Sequence, residues 1–392
     1  MEIKHFASES DRNQSIALRK YVFHSKYTDQ KSRDYNCLLN MADKIGAFEN
    51  GSLLGQVLNL PIYLNLYGKN ISAVGINHVG VYPESRGQGI ASKLMIESLK
   101  SAKKHDQVLA ILQPFSPAFY RHFGYDLFTE RLNYKIPITR YPKFEKDSNI
   151  RVVRRVPGTL NNDEITQIKQ SYQDFASLTQ GMQIRDESWW IRYDLQYPDL
   201  NYALAYKESE LVGYVSYRIV STSMEVVDFI YSSNYVRRQL WGFLAAHQAN
   251  VFEIVGVSST NRQISYDFDD PRIEQKIWLD TMVRIIDVKQ FLATWIKTQN
   301  NVSDSIKFSL VDKKAPWNTG TYKLTSKGID FSSNDLGETS PLISIQDLTA
   351  IFLGPLNSDQ LKQYLNPEPN SSLEKLIKMA EKKKISHFLG EF

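Results

Sequence analysis

The chain has one cysteine, Cys37, among 392 residues. That excludes internal disulfides and a cysteine-rich metal site, and it makes a reducing cytoplasm the expected compartment. The seven histidines are scattered with no His-x-x-x-His spacing, so no metal is expected. Long apolar runs are lacking too. The first residues, Met1-Glu2-Ile3-Lys4-His5-Phe6, hold no signal core, and no window approaches a membrane span, so no membrane partner is expected. Charge of one sign is scarce: a formal +4 over this length gives no case for a nucleic-acid partner. What is present is 42% hydrophobic and 23% charged residues, the balance of a soluble globular chain, at a length that suits two or three domains.

The most informative stretch runs from Ile76 to Met95. A short apolar segment, Ile76 to Val81, breaks at Pro83, passes Arg86-Gly87-Gln88-Gly89, and becomes a helical pattern with apolar residues at Ile90, Ala91, Leu94, Met95, Leu99 and Ala102. A strand that feeds a glycine turn at a helix start points unpaired N–H groups outward, and the helix dipole reinforces them. A phosphate or pyrophosphate is the natural guest. Gly87 and Gly89 let an anion approach the backbone, and Arg86 adds a permanent cation. An ordinary glycine turn before a surface helix is the alternative. The spacing fits neither a Walker loop nor Gly-x-Gly-x-x-Gly. Arg86 to Ala91 does resemble the Arg/Gln-x-x-Gly-x-Gly/Ala signature of the GNAT N-acetyltransferases, which implies that Arg86, Gly87, Gln88, Gly89 and Ala91 grip the pyrophosphate of acetyl-coenzyme A, the expected cosubstrate.

The flanking segments read in order. The opening residues suit a strand, Ser8 to Phe23 a helix, and the polar run His24 to Tyr35 a loop that could wall a site. A hairpin turns at Asn50-Gly51, and Ile62 to Tyr67 follows as a further segment. Val108 to Leu112 suits a buried central strand. After it, Phe119-Tyr120-Arg121-His122-Phe123-Gly124-Tyr125 resembles a second GNAT hallmark, which implies that Tyr120 protonates the departing thiolate; a purely packing tyrosine is the alternative. Tyr125 is expected to pack.

A polar stretch at Lys146 to Asn149 marks a boundary, after which strand and helix recur, with Asn161 to Glu164 as the cap. Ala47 to Val57 then aligns without a gap on Ala205 to Val215, the mark of a duplicated domain. The second copy lacks the glycines. Ser232 to Trp241 keeps Arg237 and Arg238 but offers no open backbone, so no coenzyme is expected there. From Val283 a helix capped by Asp287, alternating strands near 306–311, 320–324 and 328–331, and helices over 344–352, 359–364 and 372–384 are expected.

This order of parts resembles the enhanced intracellular survival (Eis) family of GNAT aminoglycoside acetyltransferases, with further matches at Met282 to Val288 and at Phe352-Leu353-Gly354-Pro355-Leu356. The resemblance implies an α+β (α/β) chain of three parts: a catalytic GNAT domain over 1–146, a degenerate GNAT-like domain over 147–283, and a sterol-carrier-protein-like domain over 284–392. It implies an N-acetyltransferase acting by direct transfer on a cationic small molecule (aminoglycoside-like or polyamine) or a peptide lysine, in a homo-oligomer, hexameric in relatives. The backbone of Val79 and Val81 would pair with the pantetheine arm. The chain ends in an apolar tail, Ile385 to Phe392, which suggests docking. By resemblance the α-carboxylate of Phe392 is the general base, and Glu391 is placed to attract a cationic acceptor. A terminus that only docks is the alternative. His78 stands where the family has an aromatic residue, so the acceptor wall is more polar here. Two rival functions are a non-enzymatic acyl-coenzyme A or lipid binder, and a tandem-GNAT aminoacyl transferase of peptidoglycan synthesis.

Overall fold

The computed structural model describes residues 1–24, 28–141, 149–260, 262–268, 270–299, 305–325, 327–333, 335–336, 342–381, 386–388 and 390. Strand β1 (Glu2–His5) leads into α1 (Glu9–Val22), whose N-cap Ser8 accepts from the Asp11 amide. Next comes α2 (Asp29–Met41), where a loop to Tyr35 was expected. The helix is capped by Thr28, and Tyr35, Leu38, Leu39 and Ala42 form one buried face at i, i+3, i+4 and i+7. Polar residues on its other face mask that period in the sequence. Strands β2 (Asp43–Glu49) and β3 (Ser52–Leu66) join where Asn50 and Gly51 both take positive φ, as a type I′ turn requires. β3 continues unbroken through residues expected to form a separate segment. Then follow β4 (Lys69–Val81), α3 (Ile90–Lys104), β5 (Leu109–Leu112), α4 (Pro117–Arg121) and β6 (Asp126–Pro137).

The second copy repeats this plan with β7 (Arg151–Arg155), α5 (Asn162–Leu178), β8 (Gln183–Ile184), α6 (Glu187–Gln196), β9 (Asn201–Lys207), β10 (Glu210–Val220), β11 (Ser223–Tyr231), α7 (Asn234–Ala245), β12 (Glu253–Ser258) and β13 (Glu274–Ile285). Asn161 and Glu164 close a capping box on α5. The duplication extends to ladder detail. Ala47 pairs with Gly55 and Phe48 with Leu53 across a bulge, and the aligned Ala205–Gly213 and Tyr206–Leu211 pairs flank the same slip.

The two copies share one sheet, in the order β1-β2-β3-β4-β5-β13-β6-β12-β11-β10-β9-β7. Each copy's last strand crosses to the other. β13 lies between β5 and β6, and β6 is flanked by β13 and β12. The third part packs α8 (Val288–Lys297), capped by Asp287, against a sheet ordered β16-β15-β14-β17. Its strands are β14 (Ile306–Val311), β15 (Gly320–Thr325), β16 (Gly328–Ser333) and β17 (Leu342–Ser344); the β14–β17 pair is parallel and the other two are antiparallel. Helices α9 (Ile345–Leu353), α10 (Ser358–Leu365) and α11 (Ser372–Met379) complete it. α11 ends at Met379 instead of Lys384, and residues 382–385 lie outside the described residues.

One apolar cluster joins Leu58, Leu60 and Leu64 of β3 to Val283 of β13 and to Phe308, Leu348 and Phe352 of the third part. Within it, fully buried Arg284 of β13 donates to the Phe123 carbonyl and pairs with Asp312, itself buried.

Candidate active site

β4 and β5 pair in parallel only at Ala73–Leu109, Val74–Ala110 and Gly75–Ile111. Beyond Gly75 the β5-facing edge of β4 has no strand partner among the described residues. On its other edge, the register with β3 slips between Leu58–Asn77 and Gln56–Gly80. His78 sits in that bulge with φ +47, a conformation unusual outside glycine. The backbone of Val79, Gly80 and Val81 therefore forms one wall of a wedge opened by the bulge and by lost pairing.

The predicted glycine loop lies at the mouth of this wedge. Gly87 and Gly89 have φ +78 and +72, and a Cβ on either would meet nothing within 4 Å. Gly89 is the N-cap of α3 and supplies no side-chain cap, so the first amides of α3 face outward uncapped. Arg86 and Gln88 are exposed beside it, Ala91 is half-buried, and Ile90 and Leu94 anchor the helix below. Arg86 Nε reaches the Val81 carbonyl at 3.4 Å, tying the loop to the strand edge. The second copy is built differently. There only Ser232 and Ser233 separate β11 from α7, and the Ser233 side chain caps the helix. Its loop is absent, which goes further than the blocking side chains expected from sequence. Arg237 is turned inward and paired with Asp267.

Tyr120 lies on α4, whose N-cap Ser116 accepts from the Phe119 amide. Its ring is packed among Phe115, Phe119 and Tyr125, with centroids 5.5, 5.1 and 6.0 Å away. Burial pushes this phenol well above its ordinary pKa. Tyr125 is fully buried and its hydroxyl has no hydrogen-bond partner among the described residues, in keeping with the packing role expected of it. Gly124 has φ +82, and a Cβ there would lie 2.6 Å from Arg284 Nη1 and 2.7 Å from Ile345 Cγ2. The glycine of this hallmark thus admits β13 and α9 against the Tyr120 turn.

His78 is half-buried and touches Tyr35, the last residue of the run expected to wall a site, together with Arg19 and Phe23, which sequence reading did not place there. Its Nε2 accepts from Arg19 Nε at 3.0 Å, and its ring lies 4.8 Å from that of Tyr35 and 5.3 Å from that of Phe23. Burial, helped by Arg19 and then Arg192, lowers its pKa to about 3, so the ring is neutral near pH 7. Tyr35 bonds Ser15 at 2.8 Å and Gln56 at 2.9 Å through its hydroxyl. The buried face of α2 was the available signal for Tyr35. Arg19, Ser15 and Gln56 gave none, because each matters through a contact distant in sequence.

Glu391 and Phe392 lie outside the described residues. The tail before them is docked: the His387 amide donates to the Gln180 carbonyl at 2.7 Å, Phe388 is buried, and Gly390 lines a small recess with Trp189, Arg192 and Tyr193.

Comparison with known proteins gives this architecture its class. Residues 3–128 match an acetyltransferase (GNAT) domain family, residues 181–285 match another acetyltransferase (GNAT) domain family, and residues 288–381 match a sterol carrier protein domain. An uncharacterized N-acetyltransferase of Streptomyces avermitilis is 25% identical over 321 residues, which span 73% of each chain. A probable N-acyltransferase of unknown function from Enterococcus faecalis V583 shares the fold at a TM-score of 0.87 and 24% identity, over 100% of this chain and 99% of that one. Eis1 from Mycobacterium abscessus shares it at 0.80 and 18%, over 100% of both. The chain is an acetyltransferase with two GNAT domains and a sterol carrier protein domain. In architecture it is an Eis-like tandem GNAT protein whose second copy has lost the glycine loop.

Proposed function

We propose that the chain transfers the acetyl group of acetyl-coenzyme A directly to an amine of a small molecule or peptide, in a ternary complex. The uncapped start of α3 beside the open edge of β4 supports this reading most. In it, the amides from Gly87 to Ala91 with Arg86 and Gln88 hold the pyrophosphate, and the backbone of Val79 and Val81 pairs with the pantetheine arm. The amine nitrogen attacks the thioester carbonyl. A C–N bond forms, the C–S bond breaks, the amine loses a proton to a base, and the thiolate takes one from Tyr120. The base is the α-carboxylate of Phe392, a role that docking of residues 386–388 favours. Residues 1–146 are the catalytic unit, 147–283 a coenzyme-free partner, and 284–392 the arm that delivers the terminus. The N-acetyltransferase names of the Streptomyces relatives accord with an amine acceptor. A hexamer belongs to the same proposal, and light scattering measures it.

The test is coenzyme A release from acetyl-coenzyme A with a panel of amines, alongside a Phe392 deletion. Turnover that falls with the deletion while coenzyme affinity holds is the expected result. Full turnover in the deletion would remove the terminal base. Coenzyme binding without transfer to any amine would favour a ligand binder, and transfer only from aminoacyl-tRNA would favour the peptidoglycan-type enzyme.

A further inference from the structure

Beside the bulge of β4 lies a buried cation that meets no anion among the described residues. Arg19 of α1 is 9% exposed. Its Nε is used by His78, its guanidinium carbon lies 4.4 Å from the centroid of Tyr35, and its Nη1 is buried with no hydrogen-bond partner. Among the described residues Arg19 is in no ion pair. Arg192, the other guanidinium that acts on His78, pairs with Asp34 at 3.0 Å. Asp34 thus serves Arg192, and among the described residues no carboxylate serves Arg19. Burying an uncompensated guanidinium is costly, and a ligand that brings an anion removes the cost.

We propose that Arg19 recognises a carboxylate on the acceptor, so that the substrate is an amino-acid-type amine and not a polycation. This rests on the acetyl-transfer reading above. Position supports it: Arg19 holds the bulged residue that immediately precedes Val79, the edge assigned to the pantetheine arm. Helix α1 packs over the face of that same stretch of β4, since a Cβ on Gly80 would meet Leu18, Val22 and Phe23 within 3.4 Å. A carboxylate seated on Arg19 would keep an amine a few bonds away close to the thioester. The fork of a guanidinium suits a carboxylate held by two hydrogen bonds. His78 reinforces the choice. Its neutral ring accepts from Arg19, which fixes the guanidinium without neutralising it. A polyamine or aminoglycoside would instead bring positive charge towards an unpaired positive group.

The experiment compares acceptors that differ only by the carboxylate: lysine with cadaverine, ornithine with putrescine, and an aminoglycoside beside them. Coenzyme A release gives kcat/KM, and calorimetry on the full chain saturated with coenzyme A gives Kd. The carboxylate-bearing member is expected to lead by about 10²-fold in both, as for other buried charge pairs. Arg19→Gln should collapse that ratio towards one, chiefly through KM, and Arg19→Lys should keep part of it. Thermal unfolding checks both variants, and the lysine variant carries the test if the glutamine variant unfolds. Equal or better use of cadaverine, putrescine or the aminoglycoside would overturn the inference, as would a ratio that survives Arg19→Gln. If no amine is acetylated, the parent reading falls as well. If amines are acetylated without preference for a carboxylate, only this inference falls.

Discussion

At the scale of single residues, one tyrosine and two histidines set opposite pH behaviour. Tyr120 is pushed up by burial, so it keeps its proton beyond the ordinary phenol value near ~10. If it protonates the thiolate, kcat should show no alkaline fall below about pH 10 on its account, and Tyr120→Phe should cost about 10²-fold in kcat. Steady-state rates from pH 6 to 10 decide this, and an unchanged kcat in the variant would reduce Tyr120 to packing. Histidines govern the acid side. His78 and His387 are held low, at about 3 and about 4, in both cases by burial first and nearby arginines second. Their folded values lie below the unfolded value near ~6.5, so their contribution to stability is complete above that pH and drains away as pH falls towards 4. Between pH 7 and 5 each should cost roughly 2 kcal/mol. The thermal midpoint should drop over that interval, and His387→Gln should flatten the drop; an equally steep profile in the variant would remove His387 from the account. Sequence reading placed His78 in the acceptor wall but could not see its charge state, which depends on Arg19 and Arg192, distant in the chain.

At the scale of elements, the contrast between α3 and α7 carries the argument. Both follow a strand of the same duplicated unit, but one begins at an uncapped glycine and the other at a serine cap. Gly89→Ala would force a side chain into positive φ, at a cost of about 1 kcal/mol, and would place a methyl group where the anion is proposed to sit. Coenzyme affinity is expected to fall at least about tenfold with the fold intact, as read by calorimetry and circular dichroism. Arg237→Ala should do the reverse. Arg237 pairs with half-buried Asp267, which Arg262 also holds, so the carboxylate keeps a partner and the variant should lose only about 1 kcal/mol of stability and keep its coenzyme Kd. A clear loss of coenzyme affinity there would mean that the second copy contributes to binding. This contrast was legible in the sequence because glycines and caps act locally, within a few residues. Helix α2 was not, because its polar outer face outnumbers the four buried residues that define it. The bulge at His78 was equally hidden, since it exists only in the register of β4 against β3.

At the scale of the whole molecule, the exchange of β6 and β13 makes the duplication inseparable. Repeat alignment shows two copies, but it cannot show that the last strand of each belongs to the other's half of the sheet, because strand pairing leaves no mark within either strand. β13 covers the edge of β5 from Leu109 to Leu112, and its register runs on along β6 from Asp126 to Lys135. At its end, Arg284 fixes the Phe123 carbonyl beside the Tyr120 turn and pairs with Asp312 of the third part. A fragment ending near residue 149 would contain the whole glycine loop and Tyr120 yet lack β13. It would expose both the β5 edge and the β6 edge, with Met282, Val283 and Ile285 gone from the core they fill. Such a fragment should aggregate or stay unfolded, whereas the full chain should unfold the two copies in one cooperative transition. Arg284→Met offers the finer probe, since it removes the buried charge but keeps most of the volume. It strands Asp312, so stability should fall by about 3 kcal/mol or more, and the Tyr120 turn should loosen with it, lowering kcat more than it changes coenzyme Kd. A soluble, folded fragment with full coenzyme affinity would show that the first copy needs none of these contacts.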